Sequence, residues 1–176
     1  MKTKLLVALA GLTLTGASIL PVTNVLADSS PQLINVGLDF KQATQTALNE
    51  AKGGKSVQFE LETDRSRPVY EVTILDGATE KEYKIDANSG KILKSSYEDI
   101  SDDLEDIQLS QTTPWLSLDE AGAKAKEQHN AAQLREIELE MENGRLVYKV
   151  KMSENTHTHK LVIDAHNGSL ISAKTK

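Results

Sequence analysis

The sequence predicts an α+β protein of two tandem repeats, each one helix packed on a roughly four-stranded antiparallel sheet. Three observations predict it. Sliding the 176-residue chain against itself by 78 residues aligns 39–96 with 117–174 without a gap. Each aligned copy opens with a helix-start signal. Each then continues in runs of alternating apolar and polar residues broken by turn dipeptides. Coincident positions include Ala43/Ala121, Ala47/Ala125, Leu61/Leu139, Tyr70/Tyr148, Ile85/Ile163, Asp86/Asp164, Ala87/Ala165 and Gly90/Gly168.

The helix comes first in each copy. Asp39 and Ser117 each stand three residues before a side chain, Gln42 or Glu120, that can reach back to the cap's own amide, and Leu38 and Leu116 precede the caps as staple residues. Phe40, Ala43, Ala47 and Ala51, with Leu48, then share one helical stripe, which Leu118, Ala121 and Ala125 repeat. Alanines on that stripe let the helix lie close to a sheet.

Strands follow. In 135–142, Ile137, Leu139 and Met141 alternate with Glu136, Glu138, Glu140 and Glu142, a period of two that buries one face and wets the other. Val57, Phe59 and Leu61 repeat the pattern in the first copy. Asn143-Gly144 is a two-residue hairpin signal, because both residues tolerate positive φ; Tyr148, Val150 and Met152 then resume the inward face, and Asp76-Gly77 makes a turn in copy one. The last hairpin is IDANSGKI in one copy and IDAHNGSL in the other. Asp86 and Asp164 can accept turn amides, and Gly90 and Gly168 supply the positive φ, so these four residues read as structural turn residues. A unit of about 60 residues buries only about 60% of its unfolded surface, so the copies are expected to pack on each other or on a partner.

The organisation expected is a signal peptide at 1–27, repeats at 38–97 and 117–176, and an acidic linker at 98–116. Residues 1–27 combine Lys2 and Lys4, an apolar run from Leu5 to Leu20, Pro21 and small residues before a cut after Ala27. At 16 residues the run is short of the roughly 20 that span a bilayer, with an uncleaved anchor as the alternative. The chain lacks cysteine, which excludes a disulfide framework and a lipidated cysteine.

Removing the two lysines of 1–27 leaves 18 basic against 26 acidic residues, a net charge of −8. That balance disfavours nucleic acid and anionic lipid as partners, and no membrane insertion is expected after signal cleavage. Six of those charges, Glu98, Asp99, Asp102, Asp103, Glu105 and Asp106, lie in 97–116 without a lysine or arginine, reading as a solvated connector.

VYEVTILDG followed by EYKIDANSGKIL, and again LVYKVKMSE followed by KLVIDAHNGSLI, resemble the PepSY domain, so that most of the chain beyond the signal is similar to two such domains. The resemblance implies an exported bacterial protein that restrains a peptidase. These 176 residues hold no peptidase domain, so a target such as a secreted metallopeptidase is expected to be met in trans.

The candidate chemistry is sparse. The glutamate row 136/138/140/142 faces Lys149 and Lys151 on the next strand and reads as cross-strand pairing rather than paired catalytic carboxylates. His157 and His159 share a strand face, with His166 expected near them; imidazoles suit zinc, copper or nickel, but no strict ligand spacing supports a metal, and exposed histidines at a hairpin tip are the plainer reading. Asp86 to Gly90 is too short a ligand series for a calcium loop. Trp115 is expected to pack between the copies. No cysteine, phosphate-cradling loop or recognisable triad supplies a nucleophile, so no catalytic residue and no cofactor are expected. Two functions follow. One is a binding module that presents a sheet edge or face to a peptidase; the other is an envelope structural or ligand-sensing protein with no peptidase target.

Overall fold

The computed structural model describes residues 33–114 and 116–176; the signal-like segment 1–27 and Trp115 lie outside the described residues. In chain order the elements are α1 (Phe40–Ala51), β1 (Lys55–Asp64), β2 (Arg67–Asp76), β3 (Thr79–Asp86), β4 (Ile92–Asp99), α2 (Leu104–Gln111), α3 (Leu118–Gln128), β5 (Gln133–Glu142), β6 (Arg145–Glu154), β7 (His157–Asp164) and β8 (Leu170–Thr175). Each repeat is thus a helix followed by four antiparallel strands.

Both repeat helices start in a capping box, which satisfies amides that the first turn leaves without partners. Gln42 N donates to Asp39 Oδ1 at 2.9 Å while Asp39 N donates to Gln42 Oε1 at 3.0 Å. Ser117 and Glu120 make the same reciprocal pair at 3.3 and 2.7 Å. Ala43, Ala47, Ala51, Ala121 and Ala125 are buried against the sheet. The helices meet where Phe40 of α1 lies on Gly122 of α3: a Cβ there would sit 2.7 Å from the Phe40 ring.

The two four-stranded sheets are one. The strand order is β4-β3-β2-β1-β5-β6-β7-β8, and the copies join through antiparallel pairing of β1 with β5 at Gln58↔Glu138, Phe59↔Ile137 and Glu60↔Glu136. Since 59 and 137 differ by the repeat offset of 78, the pairing is two-fold symmetric about Phe59 and Ile137. α1 and α3 lie over this seam, and Val57, Phe59, Leu61, Tyr70, Val72, Ile137, Leu139, Tyr148 and Val150 form one core beneath them. A single sheet removes two of the four edges that separate units would expose, edges being liable to pair with other chains.

The last hairpin of each repeat anchors the entry to its helix. Asp86 Oδ1 accepts the amides of Asn88 and Ser89 at 3.1 and 2.8 Å, and Asp164 Oδ1 accepts those of His166 and Asn167 at 2.9 and 3.0 Å. Gly90 and Gly168 have φ of 73° and 71°. The carbonyls of Ala87 and Ala165 then accept the amides of Leu38 and Leu116, both at 3.0 Å.

Residues 98–116, which the sequence presents as a solvated acidic connector, carry more structure than that. Glu98 and Asp99 end β4, and α2 is capped by Asp103, whose carboxylate accepts the amides of Glu105 and Asp106. Its two first-turn acids sit at the positive end of the helix dipole, where negative charge is favourable. Ile100 and Leu109 are buried. They border a cavity with Gln58, Thr73, Leu75 and Glu138, so α2 covers one corner of the sheet face opposite α1 and α3. Lys55 closes the segment by donating to the carbonyls of Leu109, at 2.7 Å, and Thr112. Gln133, the same position of the second repeat, does the equivalent for the lead into α1: its amide donates to Ile34 O at 2.6 Å and its Oε1 accepts Ile34 N at 2.8 Å.

Candidate functional site

Away from α2, the face opposite the helices is open, and its side chains follow from strand alternation. Inward residues of β1 are Val57, Phe59 and Leu61, so Gln58, Glu60 and Glu62 point outward. Following the pairing outward from the seam gives one row across all eight strands: Lys94, Lys84, Glu71, Glu60, Glu136, Lys151, Lys160, Lys174. Three acids occupy the centre and lysines occupy both wings. The neighbouring row places Glu138 beside Lys149.

The central acids crowd one another. Burial, then the neighbouring Glu136, raises the Glu60 carboxyl above its ordinary value. Glu71 is pushed up to about 7 by burial and by Glu82, and Glu138 to about 7 by burial and by Glu140. The lysines answer this charge: Lys84 lies 2.8 Å from Glu62 and 3.7 Å from Glu71, Lys149 2.5 Å from Glu140, and Lys151 3.4 Å from Glu136. The cross-strand pairing expected for Lys149 and Lys151 is therefore present, while Glu138, half-buried and crowded by Glu140, has its carboxyl raised well above the ordinary carboxylate range. What the arrangement can do chemically is bind: a broad charged face offers a partner several ion pairs and two charge signs in fixed order.

The three histidines singled out from the sequence do not form a group. β7 is extended from His157 to Asp164, so His166, in the turn beyond it, lies roughly 20 Å from His159. His157 is exposed. His159 is not an exposed tip residue: only 7% of it is accessible. It stacks on His129, ring centroids 3.8 Å apart, and lies 3.4 Å from Glu154. His129 sits at the end of α3, thirty residues away in sequence from His159, and sequence proximity gave no hint of it. The repeat alignment did hold a signal, since 129, 154 and 159 match 51, 76 and 81.

Among the described residues no helix is long and apolar enough to cross a membrane. The family described as peptidase propeptide and YPEB domain (PepSY) matches residues 37–95 and 116–174. A Clostridium difficile 630 protein described as a candidate lipoprotein has a similar crystal structure, with 20% identity, a TM-score of 0.54, and coverage of 84% of this chain and 99% of that one. The YpeB C-terminal domain of Bacillus megaterium also matches, at 14% identity and a TM-score of 0.32, over 81% of this chain and 67% of that one. No curated protein matches the chain.

Proposed function

The chain belongs to the PepSY family, whose two matched regions coincide with its two repeats, and from that membership we propose that it is an exported, non-catalytic binding module that restrains a secreted or cell-surface peptidase in trans. Domains of this family are associated with peptidase propeptides and peptidase regulation. The observation that carries the reading here is the charge row on the open face, continuous through the seam between the repeats. Neither repeat alone has it, which gives the doubling a purpose.

Seven inter-strand spacings make the face roughly 34 Å wide, and six residues of each strand make it roughly 20 Å tall. Less the corner under α2, the open area is below about 700 Å², toward the lower end of the range around the roughly 800 Å² per partner of a standard protein interface. Lysines on the wings suit acidic patches on the partner, and the central acids suit a basic side chain between those patches. Such charge order contributes more to partner choice and encounter rate than to raw affinity.

Purified protein lacking residues 1–27, added at one equivalent to metallopeptidases of the same secretome, is expected to slow at least one of them. No slowing of any secreted peptidase, at any excess, contradicts the reading.

A further inference from the structure

We propose that the second repeat carries a divalent transition-metal site, zinc being the ion that suits it, formed by His129, Glu154 and His159. The ligand atoms of these three side chains all lie within 4.8 Å of one another. They come from three elements, the end of α3, the end of β6 and the start of β7, so the fold itself brings them together.

The same place in the first repeat holds a cation. Positions 129, 154 and 159 correspond to Ala51, Asp76 and Lys81. There the Lys81 ammonium lies 2.6 Å from Asp76 Oδ2 and donates to Ala51 O at 3.0 Å, joining the carboxylate to the end of α1. A positive group is favourable at a helix carboxyl end. The second repeat keeps the acid as Glu154 but replaces the lysine with His159 and the alanine with His129. The fixed ammonium is thereby exchanged for two imidazoles that can hold a cation from solution.

His159 is prepared for that role. Its Nδ1 lies 2.9 Å from Thr175 Oγ1, which orients the ring as an outer partner of a metal ligand does. Its Nε2 is buried and makes no hydrogen bond, although Glu154 Oε2 stands 3.4 Å away. A buried ring nitrogen without a hydrogen bond is costly, and a metal ion shared with Glu154 would satisfy it. The loop carrying His129 is tied down by Lys126, which donates to the carbonyls of Asn130 at 2.8 Å and Ala132 at 2.6 Å. Two imidazoles and one carboxylate form a three-ligand set known for zinc, which leaves a fourth position for water or a partner's group. Zinc bonds of about 2.0–2.2 Å require ligand atoms roughly 3.4 Å apart, so the His129 ring must turn from its stack to close the site.

The test is calorimetric titration of the tag-free full chain with zinc chloride in a non-chelating buffer, alongside its thermal transition. One zinc per chain and a raised transition temperature are expected. A transplant of the first repeat's residues, His129→Ala, Glu154→Asp and His159→Lys, is expected to fold with an ammonium in the ion's place and to bind zinc at least about tenfold more weakly. His129→Ala alone, at the helix end, gives the same reading should the transplant fail to fold. His157→Ala with His166→Ala is expected to leave binding unchanged. Absence of a zinc heat, binding unaffected by His129→Ala, or binding lost in the His157/His166 variant would overturn the proposal.

Discussion

Phe59 and Ile137 face each other across the β1–β5 pairing, and they are the same position of the two repeats. The flanking pairs, Gln58 with Glu138 and Glu60 with Glu136, exchange under the same relation. An interface in which each patch meets its own copy is the signature of a two-fold dimer; here both halves lie in one chain. Because Phe59 and Ile137 are fully buried, the seam is part of the core and not a contact between finished domains.

The seam therefore couples the repeats. Ile137→Ala should cost about 2–5 kcal/mol, the usual range for emptying a buried isoleucine. Urea unfolding followed by circular dichroism should stay a single transition, with hydrogen exchange in β3 and β7 accelerated together. Acceleration confined to β7 would show two independent domains.

Tyr148 and Tyr70 hold the chain entering the two helices. Tyr148 Oη donates to Leu116 O at 2.8 Å, and Tyr70 Oη donates to Leu38 O. Tyr148→Phe keeps the packing but strands a carbonyl in a part-buried place, and a loss of about 1–3 kcal/mol is expected in denaturant titration. A loss of under about 0.5 kcal/mol would mean that water replaces the hydroxyl.

The hairpin matching Asn143-Gly144 is made by Arg65 and Ser66, with φ of 49° and 69°. The two-residue turn demands left-handed backbone at both positions whatever the side chains. Left-handed backbone costs of order 1–2 kcal/mol per ordinary residue, of which Asn recovers part and Gly offsets part through its greater unfolded-state entropy, so Arg65→Asn with Ser66→Gly should gain about 1 kcal/mol in midpoint analysis. An unchanged midpoint would place the strain elsewhere.

Glu71 and Glu138 titrate near 7 in the folded chain, above an unfolded carboxyl at about 4.3. Between these values the folded state binds more protons than the unfolded one. Stability contributed by protonation is thus fully present below about pH 4.3 and is lost as pH rises through about 7. Glu138→Gln should flatten that decline and raise the thermal midpoint at pH 8, with little change at pH 5. A steeper decline in the variant would contradict the assignment.

Local features were the legible ones. Asp39, Ser117 and the alternation of Ile137, Leu139 and Met141 mark helix starts and strand faces because capping and pleat act within a few residues. The β1–β5 seam was not legible, since alternation says which face of β1 is buried and nothing about what pairs along its edge. α2 was obscured by its charge, although Asp103 before Glu105 and Asp106 is a helix-start pattern. The grouping of His159 with His157 and His166 failed because closeness in sequence along an extended strand is distance in space, whereas His129 arrives from a helix end.

The most direct measurement is the inhibition constant against the peptidase that the protein slows, comparing three forms. The wild type is set against a face variant carrying Lys151→Glu, Lys160→Glu and Lys174→Glu, and an edge variant carrying Leu170→Lys and Ile171→Lys. A contact made by the charged face requires at least about tenfold weaker inhibition by the face variant, with the edge variant unchanged. Inhibition preserved in the face variant but lost in the edge variant would contradict it and assign the contact to strand addition at β8.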